Sequence, residues 1–203
     1  MKLYISSASP FARKVRLVAH EAGLASRVEE VPTVVSPVKP NADLAKANPL
    51  MKLPTLVTDD GYALFDSPVI CEYLDSLNAG RKLFPAAGPA RWAALRQQAV
   101  ADGILDAAIG VRYQTALAPK ELQWTAWQDG QRAKWKQALD FLEADAKALE
   151  GDPTIGSLTV AATLAWLDFR YGADDWRIGR PALAAWFAGF SQRPSMLATL
   201  PSA

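Results

Sequence analysis

The stretch KLYISSASPFARKVRLVAHEAG, residues 2–23, changes its hydrophobic period at Ser9. Lys2–Ser6 reads as a short strand. Ser9-Pro10 then supplies an N-cap hydroxyl followed by proline at the first helical position. Phe11, Val15, Val18 and Ala22 recur at helical spacing, and Gly23 can end that helix. The chain thus opens with a strand running into a helix whose first turn carries a hydroxyl. Val28–Val31 reads as a second strand. Residues 34–49 hold three prolines and read as loop, with one helical turn at Asp43–Ala47. Thr55–Thr58 and Tyr62–Leu64 flank Asp59-Asp60-Gly61, a hairpin signal. Ser67-Pro68 repeats the cap-plus-proline start and opens a helix to about Leu77. The order is βαβ, loop, ββα.

The rest of the chain has a different composition. All seven tryptophans follow residue 90, whereas nine of the twelve valines precede residue 79. Alanine occurs nine times before residue 79 and 28 times from residue 79 onward. Valine favours strands and alanine helices, so a mixed first half gives way to an all-helical second half. Residues 78–89 carry the Gly/Pro punctuation of a linker. The expected division is residues 1–78, a linker at 79–89, and an all-α domain at 90–203. Four long helices are expected there, near Pro89–Leu117, Lys120–Leu149, Thr159–Tyr171 and Pro181–Ser191, with the tryptophans mostly filling their core.

Composition excludes several function classes. Half of the 203 residues are hydrophobic and 21% are charged, which suits a folded protein rather than a disordered one. The net charge of +1 gives no nucleic-acid footprint and no polybasic membrane anchor. A single cysteine forms no internal disulfide framework and fits a reducing compartment. A single histidine argues against a multi-histidine metal site or a Ser-His-Asp triad. The opening Met-Lys-Leu-Tyr lacks a signal peptide's apolar region, and the charge-free run Pro153–Leu167 is shorter than a membrane span. The expectation is a soluble cytoplasmic protein without a metal.

Three motifs recur in a familiar order. They are SPFARKV at residues 9–15, NPLMKLPTL at 48–56 and LFDSPVI at 64–70. Together they resemble the glutathione S-transferase superfamily, and the resemblance spans nearly the whole chain. It implies a thioredoxin-like domain (βαβ-ββα) followed by an all-helical domain, with glutathione as cosubstrate and a homodimer as the assembly. Ser9 stands where thioredoxin-like proteins place the first cysteine of a Cys-x-x-Cys pair. With Ser9 and Ala12 at the pair positions, dithiol redox chemistry is excluded there.

What remains is a hydroxyl at a helix N-terminus, a good place to hold a thiolate. Lowering a free thiol's pKa of about 8.5 by about two units requires about 2.7 kcal/mol. A hydrogen bond to a charged group supplies roughly 1.5–3 kcal/mol. The helix N-terminus adds roughly 0.3–1 kcal/mol. No separate base is needed. Ser6 and Ser7 compete with Ser9 for this role but sit at the strand end. Tyr4 lies inside the strand and reads as structural. His20 is about three turns further along the helix, too far to activate Ser9 as an acylating nucleophile.

The resemblance assigns the other contacts. Pro54 is the family's cis-proline, and Leu53 before it offers its backbone to the cysteinyl part of glutathione. Ser67, read as an N-cap, leaves free N–H groups for the γ-glutamyl carboxylate. Asp66, where many members carry glutamate, meets the ammonium. Lys39 and Lys52 resemble the pair that meets the glycine carboxylate in serine-type, tau-like members. Phe11, Tyr113 and Trp166 are candidates for an apolar electrophile pocket between the domains. Cys71 reads as a small buried hydrophobe. The family's Ser/Thr-x-x-Asp capping box near residue 160 looks half missing, with Thr159 present and Ala162 at its partner position.

The activity implied is glutathione transfer to an electrophilic small molecule, in detoxification. A glutathione-dependent isomerase or dehalogenase, and a non-catalytic binding protein on the same fold, are the alternatives.

Overall fold

A computed structural model describes residues 1–202 of the chain. Four strands form one sheet in the order β2-β1-β3-β4: β1 (Lys2–Ile5), β2 (Glu29–Pro32), β3 (Thr55–Val57) and β4 (Ala63–Leu64). β1 runs parallel to β2 and antiparallel to β3, and β3 runs antiparallel to β4. Helices α1 (Pro10–Glu21), α2 (Ala42–Ala45) and α3 (Ser67–Ser76) complete the expected βαβ-ββα order. Leu3 of β1 and Leu56 of β3 are fully buried, as are Val15 and Val18 of α1 and Ile70 and Leu74 of α3. The apolar faces read from the sequence therefore make one core.

α1 is bounded by local chemistry. The Ala12 N–H donates to Ser9 Oγ at 3.3 Å, and Pro10 holds the first helical position. At the other end Gly23 takes φ +68°, a left-handed conformation that costs glycine least. Leu24 N–H reaches back to the Ala19 carbonyl at 2.8 Å, a Schellman-type closure.

The chain divides into two compact units, Met1–Arg91 with Gln192–Ala203, and Trp92–Ser191. Composition assigns everything after residue 89 to one helical domain, but residues 192–202 fold with the first unit. A fifth late helix, α8 (Pro194–Ala198), lies in this segment. It is anchored on α1. Glu21 accepts from Arg193 Nε at 3.0 Å, Arg193 Nη2 at 2.8 Å and Ser195 Oγ, while Arg13 Nη2 donates to the Met196 carbonyl at 3.1 Å. Burial of Arg13, and then the charge of Arg16, lower its guanidinium pKa to about 10.

The stretch expected to be a linker is tied down. Asp75, 3% exposed at the end of α3, accepts from the N–H groups of Leu83 at 2.8 Å and Phe84 at 3.1 Å. Lys82 Nζ donates to the carbonyls of Asp75 and Asn78 at 2.7 and 2.6 Å.

The second unit holds most of α4 (Gly88–Ala116), with α5 (Thr125–Ala144), α6 (Ile155–Tyr171) and α7 (Pro181–Phe190). α6 is apolar nearly all round and is buried accordingly. It runs in the same direction as α4, along a row of small residues spaced by seven, Ala94, Ala101 and Ala108. Thr163 Oγ1 donates to the Ala101 carbonyl at 3.3 Å, and Tyr171 Oη to that of Ala108 at 2.7 Å.

Three expectations for this half change. α5 is shorter than Lys120–Leu149, because Gln123 is extended and short 3₁₀ turns flank the helix. α6 starts at Ile155 rather than Thr159. Its capping box is complete at another place, with Ser157 N–H donating to Thr154 Oγ1 at 3.3 Å and Thr154 N–H to Ser157 Oγ at 2.9 Å. The tryptophans are divided, since Trp135, Trp166 and Trp176 are buried while Trp92 and Trp124 are about two-thirds exposed.

Candidate functional site

Strand register brings the three motifs to one end of the sheet. Tyr4 stands opposite Thr55, so the end of β1 and the start of β3 share an edge. Leu56 stands opposite Leu64, which puts the end of β4 at that same edge. Ile5 pairs with Pro32, and Thr33 N–H donates to the Ile5 carbonyl at 2.7 Å. The segments Ser6–Ser9, Lys52–Pro54, Phe65–Ser67 and the loop carrying Lys39 therefore all leave the sheet at one end.

Ser9 is half-buried at the mouth of α1. Its oxygen accepts from Ala12, and its N–H donates to the Ser6 carbonyl at 2.9 Å. A serine hydroxyl carries one proton to donate. No group among the described residues accepts that of Ser9. Ser7 differs, because its hydroxyl donates to the Ser202 carbonyl at 3.2 Å. Ser6 remains at the strand end. His20 is exposed on the last turn of α1, and Cys71 is fully buried.

Leu53–Pro54 is a cis peptide bond. The Leu53 N–H and carbonyl make no hydrogen bond to the described residues. A buried network holds this turn. Asn48 Nδ2 donates to the Lys52 carbonyl at 3.1 Å and to Thr55 Oγ1 at 2.9 Å, and Thr55 Oγ1 donates to the same carbonyl at 2.9 Å. Asn48 Oδ1 accepts the Leu50 N–H at 2.9 Å. Met51 is pressed into a left-handed conformation at φ +51°. Reading the sequence alone assigns no role to Asn48 or Thr55. An Asn-Pro turn seven residues before a buried strand threonine is the signal that marks them.

At the third corner Asp66, not Ser67, is the N-cap of α3, and its side chain makes no capping bond. Ser67 is the first helical residue and is 2% exposed. Pro68 has no N–H, and Ile70 N–H is taken by the Asp66 carbonyl at 3.1 Å. The free first-turn donors are therefore the N–H groups of Ser67 and Val69. Asp66, Lys52 and Lys39 have exposed side chains. In the Lys39 loop, Asn41 Nδ2 donates to the Val34 carbonyl at 2.9 Å.

The three pocket candidates have different surroundings. Phe11 is half-buried in the first unit, with Lys14 Nζ 5.7 Å from its ring centroid. Tyr113 is 43% exposed on α4. Trp166 is 3% exposed within the helical unit, edge-on to Tyr171 at 5.9 Å.

Comparisons with known proteins reach across the whole chain. The glutathione S-transferase N-terminal domain family matches residues 8–77, and the glutathione S-transferase C-terminal domain family matches residues 125–189. The chain is 32% identical to YibF of Escherichia coli, an uncharacterized GST-like protein, over 99% of this chain and 98% of that one. A glutathione transferase family member from Pseudomonas fluorescens Pf-5, solved with bound glutathione, is 46% identical with a TM-score of 0.97, covering 100% and 99% of the two chains. A second structure from that source, with bound S-(propanoic acid)-glutathione, is 44% identical with a TM-score of 0.93 and full coverage of both chains. A glutathione S-transferase from Methylobacillus flagellatus with glutathione bound is 33% identical, with a TM-score of 0.88 and 99% coverage of each chain.

Proposed function

The chain belongs to the glutathione S-transferase family, and on that premise we propose that it binds glutathione and transfers its thiolate to an electrophilic carbon, with Ser9 holding the sulfur. The observation that carries this reading is the state of the Ser9 hydroxyl. Its oxygen is fixed by the Ala12 N–H, while its proton has no acceptor among the described residues. A hydroxyl so fixed donates to a thiolate without reorganising. The N-terminus of a twelve-residue helix adds its dipole.

The remaining roles follow the chemistry of each group. The unpaired Leu53 backbone suits the cysteinyl peptide unit. The Ser67 and Val69 N–H groups suit the γ-glutamyl carboxylate, and Asp66 its ammonium. Lys39 and Lys52 suit the glycine carboxylate. In the transfer step the thiolate forms a carbon–sulfur bond. The electrophile's leaving group departs with its electron pair, or an activated double bond takes up a proton. A related protein that binds S-(propanoic acid)-glutathione, a thioether of this kind, supports conjugation over redox chemistry. A homodimer, a cytoplasmic location and a role in detoxification belong to the same reading.

Retention on immobilised glutathione combined with turnover of 1-chloro-2,4-dinitrobenzene tests the proposal. Retention with turnover is expected. Failure to be retained, with no glutathione binding by calorimetry, contradicts it.

A further inference from the structure

Near their C-terminal ends α4 and α6 each carry an arginine. Tyr171 Oη donates to the Ala108 carbonyl at 2.7 Å, which joins the last turn of α6 to α4 one turn before Arg112. Arg170 immediately precedes Tyr171, and both arginines are half-buried. Burial, and then the charge of Arg112, lower the Arg170 guanidinium pKa. The charge of Arg112 acts on Tyr171 as well. All of these residues belong to the unit Trp92–Ser191.

This pair has no counter-charge. Neither guanidinium makes a hydrogen bond or ion pair with any of the described residues, and of the two only the Arg170 Nε–H is closed off from solvent. The carboxylates of the same unit are committed elsewhere. Asp168 gives both oxygens to Arg177 at 2.7 Å, and Asp175 pairs with Arg177 at 3.3 Å. Asp174 stands with Arg132 and Lys136, at 3.9 and 3.8 Å. Asp102 and Asp106, earlier on α4, have partners other than these two arginines. Two like charges held together and partly desolvated disfavour each other, and an anion received by both reverses that sign. The Arg170 guanidinium lies 4.0 Å from the Phe169 ring centroid, which holds its plane. A guanidinium so held presents a fork that matches a carboxylate. The pair also adjoins two of the electrophile-pocket candidates. Tyr113 follows Arg112, and Trp166 lies one turn before Arg170 on the same side of α6.

We propose that Arg112 and Arg170 are specificity residues that receive a carboxylate carried by the electrophile, so that the preferred second substrates are acidic; this rests on the glutathione-transfer reading. With a chloroarene acid the thiolate forms the new carbon–sulfur bond at the ring carbon and chloride leaves with its electron pair. The carboxylate stays ionised on the arginine pair throughout and takes no part in bond making.

Turnover of 4-chloro-3,5-dinitrobenzoate and of its methyl ester tests the assignment, in wild type, Arg112→Gln, Arg170→Gln and Arg170→Lys. Each rate is divided by the uncatalysed rate with glutathione, which removes the difference in ring reactivity. On that scale wild type should prefer the acid. Each glutamine variant should lower the acid-to-ester ratio of kcat/KM about fivefold or more, chiefly through the KM of the acid, and Arg170→Lys should restore part of it. A loss shared equally by acid and ester marks a structural role and overturns the assignment. Calorimetry with S-(4-carboxybenzyl)glutathione and S-benzylglutathione gives a second reading that needs no turnover. The acidic conjugate should bind wild type more tightly, and Arg170→Gln should remove that advantage. Equal affinities in wild type, with glutathione itself bound, would overturn this proposal and leave the glutathione reading standing; failure to bind glutathione at all would overturn both.

Discussion

The side-chain amide of Asn48 lies 2.9 Å from Thr55 Oγ1, and both groups converge on the backbone carbonyl of Lys52. This buried triangle sets the turn that presents Leu53 and Pro54. Neither Asn48 nor Thr55 is more than 1% exposed. The turn's geometry is therefore held from inside rather than by surface groups.

Asn48→Ala should uncouple stability and binding from chemistry. It removes one of the two bonds to the Lys52 carbonyl, the donor to Thr55 Oγ1 and the acceptor of the Leu50 N–H, while the Thr55–Lys52 bond remains, at a cost of about 2 kcal/mol. Urea denaturation should show that loss, and calorimetry should show weaker glutathione binding. The thiol pKa of the glutathione that still binds should not change, because Ser9 is untouched.

Asp75→Ala should release the segment after α3. Each bond from a backbone N–H to this buried carboxylate is worth about 1.5–3 kcal/mol. Wild type should resist trypsin at Arg81 and Lys82, while the variant should be cut there under native conditions. Equal cleavage rates would show that the anchor does not hold the segment.

The docking of residues 192–202 on α1 should depend on pH. Burial alone would raise the Glu21 pKa, but hydrogen bonds from Arg193 and Ser195, with the charges of Arg193 and His20, bring it below the ordinary 4.5. A carboxyl held lower in the folded state stabilises above its unfolded pKa and loses that contribution as pH falls through the folded value. Docking should therefore be complete at neutral pH and weaken only below 4.5. Hydrogen-exchange protection of the Met196 and Leu197 amides should fall in that window, and Glu21→Gln should remove the pH dependence.

Gly156→Ala should destabilise the helical unit. A Cβ built there would lie 2.5 Å from Gln97 Oε1 and 2.7 Å from the Ala94 carbonyl oxygen. The Gln97 side chain can move, but the α4 backbone cannot without disturbing the helix pair. Overpacking of this kind costs about 1–3 kcal/mol, read as a lower urea midpoint with an unchanged slope.

Features set by a residue's own backbone are legible in the sequence, and those set by distant partners are not. Ser9-Pro10 and Gly23 act locally, so both ends of α1 can be read directly. That Ser9, Pro54 and Ser67 leave the sheet at one end is not legible in the motif order; it follows from β3 pairing antiparallel with both β1 and β4. The cap of α3 lies one residue before the expected Ser67, since Asp66 and Ser67 are both capping types and only the backbone decides between them. The α6 box is expected at Thr159, whereas Thr154 and Ser157 form it. The Glu21–Arg193 pair joins residues 172 apart, a distance at which no local pattern operates. Tryptophan's preference for burial does not foretell Trp92 and Trp124, which sit at helix starts on the surface.

Titration of the thiolate absorbance of bound glutathione, in wild type and Ser9→Ala, tests the central claim most directly. The account predicts nearly equal glutathione affinity, since Leu53, Ser67 and the charged groups hold the peptide. It predicts a thiol pKa raised by about one to two units in the variant, equivalent to about 1.4–2.7 kcal/mol. Conjugation at neutral pH should fall about tenfold or more, and much of that loss should recover at high pH, where solvent deprotonates the thiol. Identical thiol pKa values in the two proteins would contradict the role of Ser9 and turn attention to Ser6 and Ser7.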